Sequence, residues 1–147
     1  MVYQMRTRSG QLDPYSTLAW VDQAGTVHQS HAFRWRPLGH WTSPDTGGVY
    51  PIESELESPE PHTGRSRRFR IRPLLAAQEI VGRIGSVDYW EGACEVLDEQ
   101  GELIGQAYVE LTGYARASEF RDRMRPGARA PSPAAATQVQ TQERLVN

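Results

Sequence analysis

Tyr89-Trp90-Glu91-Gly92-Ala93-Cys94-Glu95-Val96-Leu97, then Asp98-Glu99-Gln100-Gly101, then Glu102-Leu103-Ile104-Gly105-Gln106-Ala107-Tyr108-Val109-Glu110-Leu111 is the stretch that decides the fold. Apolar and polar residues alternate on both sides of a turn that carries glycine, which predicts a β-hairpin. A four-residue loop pairs Leu97 with Glu102, Glu91 with Tyr108 and Tyr89 with Glu110. One face then carries Trp90, Gly92, Cys94 and Val96 against Val109, Ala107, Gly105 and Leu103, and is a core. The other carries Tyr89, Glu91 and Glu95 against Glu110, Tyr108 and Ile104, so rings and carboxylates share one surface.

Working outward, period-two patterning recurs upstream. Strands are expected over Val2 to Arg8, Ser16 to Val21, Thr26 to His28 and Ala32 to Arg36. Tyr50 to Glu57 and Arg68 to Leu74 alternate most cleanly. Glu53, Glu55 and Glu57 share one face of the first, and Arg68, Arg70 and Arg72 one face of the second. Pairing Glu57 with Arg68 brings Glu55 to Arg70, Glu53 to Arg72 and Leu56 to Phe69. Opposite charges facing across strands contribute roughly 0.2–1 kcal/mol each. Ile80 to Val87 reads equally as a short helical turn or a loop. Six to eight antiparallel strands at short spacing imply an all-β fold, a barrel or a strongly curved sheet.

Composition narrows the function classes. The length suits one domain, and no apolar run approaches the ~20 residues of a membrane-spanning helix. Met1 to Arg6 lacks the apolar core of a signal peptide. The sequence leaves the compartment open, cytoplasmic or periplasmic if an upstream segment is missing. A net charge of −2 argues against nucleic acid as the main partner. The 16 basic residues are all arginine, which removes Schiff-base chemistry and a phosphate-loop lysine. Cys94 is the single cysteine, so no internal disulfide is possible. His28 and His31 are three apart, and such residues on a strand point to opposite faces. With His40 they make no metal motif, so neither metal nor cofactor is expected. No Gly-x-Ser-x-Gly elbow is present either.

Several of these segments together resemble a known family. In order they are Val2-Tyr3-Gln4-Met5-Arg6, Gly10 with Asp13-Pro14-Tyr15-Ser16, and Trp41-Thr42-Ser43-Pro44 with Thr46-Gly47 and Tyr50-Pro51. Gln78-Glu79 follows, then Tyr89-Trp90-Glu91-Gly92 and Tyr108-Val109-Glu110-Leu111-Thr112-Gly113-Tyr114. The set is similar to the C-terminal half of the lipocalin-like AttH-type proteins, which include carotenoid 1,2-hydratase (hydroxyneurosporene synthase). The resemblance implies a calycin-type barrel over residues 1–114, the second of two in tandem, and a missing N-terminal barrel as partner. It also implies an apolar small-molecule ligand and a hydratase-like or cyclase-like chemistry.

For such chemistry Glu91 and Glu110 are the candidate catalytic residues, since a carboxylic acid held partly apolar can protonate an alkene. Tyr89, Tyr108 and Trp41 are the candidate ligand-binding residues, because aromatic faces stabilise a carbocation. The alternative is a non-catalytic barrel that braces a partner barrel through the same face, or an ordinary solvated face.

Residues 115–147 change character. A short helix is expected from Arg116 through Phe120, then a Pro-, Ala-, Gln- and Thr-rich tail too poor in apolar area to offset its ordering entropy. Truncation after Arg125 is expected to leave the melting temperature within about 2 °C, because single-domain stability tracks buried area. A larger drop in a thermal melt would show that the tail docks.

Overall fold

Clean alternation along the chain produces a structure built of strands. The computed structural model describes residues 1–7, 9–82 and 88–115. The expected helix at Arg116 and the tail lie outside the described residues. No helix occurs among the described residues, so none is long and apolar enough to cross a membrane.

The described residues form nine strands: β1 (Val2–Tyr3), β2 (Thr17–Val21), β3 (Val27–Ser30), β4 (Arg34–Thr42), β5 (Val49–Pro59), β6 (Ser66–Pro73), β7 (Glu79–Ile80), β8 (Tyr89–Leu97) and β9 (Leu103–Thr112). They form a three-stranded sheet in the order β1-β2-β3 and a six-stranded sheet. In the larger sheet β4, β5, β6 and β8 follow one another, β7 shares the β6 edge of β8, and β9 takes the other edge. All pairings are antiparallel, and the result is a strongly curved, unclosed sheet carrying a smaller one.

The two sheets share one core. Val2 and Leu18 from the small sheet join Tyr50, Ile52, Leu56, Phe69, Ile71, Trp90, Cys94, Val96, Ala107, Val109 and Leu111. Trp20 of β2 meets Phe69 of β6 with ring centroids 5.8 Å apart. Every second residue of β5 from Tyr50 to Ser58 is buried, which is the period the sequence displays.

The hairpin keeps its faces and changes its register. Glu91 stands opposite Glu110, Ala93 opposite Tyr108 and Tyr89 opposite Thr112, two residues from the expected pairing. One residue of the difference is the turn. Asp98 Oδ1 accepts the amides of Gln100 and Glu102, Gly101 sits at φ 84°, and Leu97 meets Leu103 across five residues. The other is a bulge between Val96 and Leu97, both of which are buried. A shift of two returns each side chain to its own face. Leu103 is the exception: expected in the core, it is exposed at the hairpin tip.

Other boundaries move for local reasons. The first strand shrinks to Val2–Tyr3, with an isolated bridge between Arg6 and Leu12. The strand expected to end at Arg36 runs on to Thr42 as β4, passing Pro37 and Gly39 with two register shifts. An edge strand tolerates proline, because one row of its amides is unpaired.

Glu57 opposite Arg68, Glu55 opposite Arg70 and Leu56 opposite Phe69 are as expected. Glu53 opposite Arg72 is not: pairing stops at Ser54–Ile71, and Arg72 faces Glu95 on β8, which it binds at 2.6 Å. Arg70 reaches diagonally to Glu53 at 2.6 Å, and Arg36 of β4 holds Glu55 at 3.0 Å. Twist brings diagonal neighbours within reach of long side chains, so ionic contacts slip along an unchanged register.

Replacing Leu56, which is buried between β4 and β6, should lower stability far more than removing a ladder charge. Leu56→Ala is expected to lose about 2–5 kcal/mol in urea denaturation. Glu55→Gln should lose less than about 1 kcal/mol.

Candidate functional site

The carboxylate face lies outside the core. Tyr89, Glu91, Tyr108 and Glu110 all project from the outer face of β8 and β9, where Tyr108 is 49% exposed and the other three are half-buried. Glu91 and Glu110 are direct cross-strand partners. Tyr108 is diagonal to Glu91, and its phenol is raised above its ordinary range, by desolvation first and by the neighbouring Glu91 carboxylate next. Ile104 adds an exposed apolar side chain to the same face of β9. The four residues are thus brought together, on a surface open to solvent.

Trp41 is elsewhere. It stacks on Tyr50 at 6.1 Å and 29°, and Tyr50 in turn meets Tyr114 at 5.7 Å. Burial pushes the Tyr114 phenol up to about 12, against the opposing charge of Arg6.

Beneath this aromatic row sits a carboxylate whose environment sequence reasoning did not identify. Glu79 accepts hydrogen bonds from Ser43 Oγ, from Thr46 Oγ1 at 2.6 Å and from Tyr50 Oη at 2.7 Å. Each donor is set by its local fold. Ser43 Oγ accepts the amides of Asp45 and Thr46, and Thr46 Oγ1 accepts the amide of Gly48, so both hydroxyl protons are left for Glu79. Burial and the bond to Glu79 raise the Tyr50 phenol well above its usual range. Glu79 itself is placed by β7, opposite Trp90.

The same locality explains the Tyr-Trp-Glu-Gly segment. Trp90 Nε1 donates to the Ala76 carbonyl at 2.8 Å, and the Glu91 amide donates to the Gln78 carbonyl at 3.2 Å. The Gln78 amide group lies directly over Gly92, where any Cβ would overlap it. Gln78 Nε2 donates to the Leu75 carbonyl at 2.7 Å. Segments 43–50, 78–79 and 89–92 therefore meet at one place. The signal for this was their joint presence; only the fold reveals that hydroxyls and a carboxylate are the two halves of one contact.

A profile of the family described as AttH-like matches residues 1–114. The chain belongs to the AttH-like family. A solved structure from Nitrosomonas europaea, provisionally assigned as AttH, shares 25% identity and superposes with a TM-score of 0.60. The match covers 78% of this chain and 38% of that one, so the AttH-like domain here spans well under half of that neighbour's length. Among curated proteins none matches.

His28, His31 and His40 do not gather as a set. His31 Nδ1 bonds the Ser16 carbonyl at 2.8 Å and His40 is exposed, whereas His28 contacts Asp22 at 3.0 Å. Asp22 is held ionised, its carboxyl lowered to about 2 by the His28 hydrogen bond first and the Thr26 amide next.

Glu79→Gln replaces an acceptor oxygen with an NH2 group that faces a hydroxyl already committed to donation. Expected losses are about 1–3 kcal/mol for Glu79→Gln and about 1 kcal/mol for Tyr50→Phe. In the double variant the second change should add little, because the shared bond is already gone. Additive losses in denaturant melts would refute the network.

Proposed function

We propose that this AttH-like domain acts as a bracing module: the outer face of β8 and β9 receives a second domain, and the Glu79 network holds the hairpin at a fixed angle for it. The observation that carries the reading is the pairing of Glu91 with Glu110 beside exposed Tyr108 and Ile104. Like charges directly opposite each other destabilise a strand pair. Tyr108 offsets this at Glu91, which leaves Glu110 suited to a donor or cation from elsewhere. Exposed tyrosine beside carboxylates is the composition of a half-polar interface, where rings supply area and the rim supplies hydrogen bonds. The 38% coverage of the Nitrosomonas protein supports a larger assembly as the working unit.

A second reading rests on a different observation. Trp20 Nε1 is buried with no hydrogen-bond partner among the described residues, and Trp20, Phe33 and Trp35 are only partly buried against the core. A small molecule with an acceptor atom and an apolar body, lying between the two sheets, would satisfy that donor. This is the lipocalin-like function, and its finer form is hydration of a terminal isoprenoid alkene, with Glu91 or Glu110 as proton donor and Tyr89, Tyr108 and Trp41 as ligand contacts.

The two readings separate in a two-domain AttH-like protein that carries this chain as one domain. Under bracing, Tyr108→Ala should weaken association of the separated domains at least about tenfold, as interface tyrosines do. The domain's own melting temperature should stay within about 2 °C. Intact association with lost hydration of an isoprenoid alkene in Glu91→Gln or Glu110→Gln would favour the enzyme. Unchanged behaviour in every variant would make this an ordinary solvated face.

A further inference from the structure

The turn between β2 and β3 comes against the turn between β5 and β6, and three metal-ligating side chains meet there. Asp22 Oδ2 lies 3.0 Å from His28 Nε2 and 3.6 Å from His62 Nε2, and the three ligand atoms all fall within 4.8 Å of one another. The imidazoles stand edge to face, 4.6 Å apart at 81°. We propose that Asp22, His28 and His62 form a binding site for a divalent cation of the zinc class, which clamps the small sheet to the large one.

The distances suit that ion. Zinc binds nitrogen and carboxylate oxygen at about 2.0–2.2 Å, so adjacent tetrahedral ligands stand about 3.3 Å apart. The two carboxylate-to-imidazole separations bracket that edge. Closing the third edge asks for a small movement of His62, which projects from an exposed turn.

The carboxylate is already oriented. Asp22 Oδ1 accepts the amides of Ala24 and Thr26, each at 2.9 Å, while Oδ2 faces both imidazoles. Such supporting bonds fix ligand geometry in metal sites. Two imidazoles and one carboxylate favour zinc, cobalt or nickel over magnesium or calcium, which prefer oxygen. Three protein ligands with His62 open to solvent leave the fourth position to water.

The ligands explain why the site is not legible in sequence. His28 sits near His31, but His31 is committed to the Ser16 carbonyl. His62 belongs to a distant loop that only the packing of the two sheets brings to His28.

The test is titration of the full, chelator-stripped chain with Co2+, followed by displacement with Zn2+. One Co2+ per chain should bind with a tetrahedral absorption spectrum, and Mg2+ should not compete. His62→Asn and His28→Asn should each weaken binding at least about tenfold, and His40→Asn should leave it unchanged. Zn2+ should raise the melting temperature of the natural chain but not of His62→Asn, whose metal-free melt should match the natural one because that ring is exposed. No stoichiometric binding at about 100 µM metal, or binding unchanged in the His28→Asn/His62→Asn double variant, overturns the proposal.

Discussion

A single carboxylate with three hydroxyl donors sets how the ends of this sheet meet. Glu79 draws Ser43, Thr46 and Tyr50 to one point, and with them the loop between β4 and β5. The loop in turn packs on the exit of β9: a Cβ at Gly48 would lie 2.9 Å from the Ala115 backbone. Thus the first residues of β5 and the last of β9 are held near each other, although neither strand pairs with the other. Such curvature in an open sheet needs a restraint, because twist alone does not choose how far the ends approach. A hydroxyl that accepts a backbone amide and passes its own proton to a carboxylate is polarised by both bonds. The restraint is therefore tied into the backbone of the loop.

The legibility of this fold follows from parity. A hairpin misread by two residues still sorts Trp90, Cys94, Val96, Ala107 and Val109 inward and Glu91, Tyr108 and Glu110 outward. The face was readable because alternation records it directly; the register was not. It depended on Gly101 in the left-handed region and on a bulge that places Val96 and Leu97 both inside. Bulges leave no periodic trace, since they interrupt the period. The ionic ladder behaves likewise. Glu57–Arg68 and Glu55–Arg70 register was visible in the alternating charges, while the shift of Arg72 to Glu95 required knowing that β8 lies beside β6.

Sites divide along the same line. The outer patch was visible because its members share one hairpin. The Glu79 network spans residues 43 to 79, and the Asp22–His28–His62 cluster spans two sheets. No local pattern joins such residues. What the sequence carried was the resemblance itself, since Ser43, Thr46, Tyr50, Gln78, Glu79, Trp90 and Gly92 stand in segments that the AttH-like resemblance rests on. Their shared location gives that resemblance a physical content: Gly92 makes room for Gln78, and Gln78 precedes the carboxylate that the hydroxyls need.

The longest strand joins the two clusters. β5 runs eleven residues from Val49 to Pro59, about 35 Å at strand rise. Tyr50 near its start bonds Glu79, and His62 just past its end reaches Asp22. Between these points its inward side chains belong to the core and its outward glutamates to the ionic ladder. Surface ion pairs are individually weak and screened by salt, so the ladder fixes register more than position. Position comes from the buried face and from Tyr50. A strand buried along one face and bonded to Glu79 near its start keeps the loop before it against the segment that pairs with β8. The outer patch then presents its rings and carboxylates in a fixed plane. Under the proposed bracing role, docking on this patch gains from that preorganisation, because each side chain ordered on binding costs about 0.5–1.5 kcal/mol.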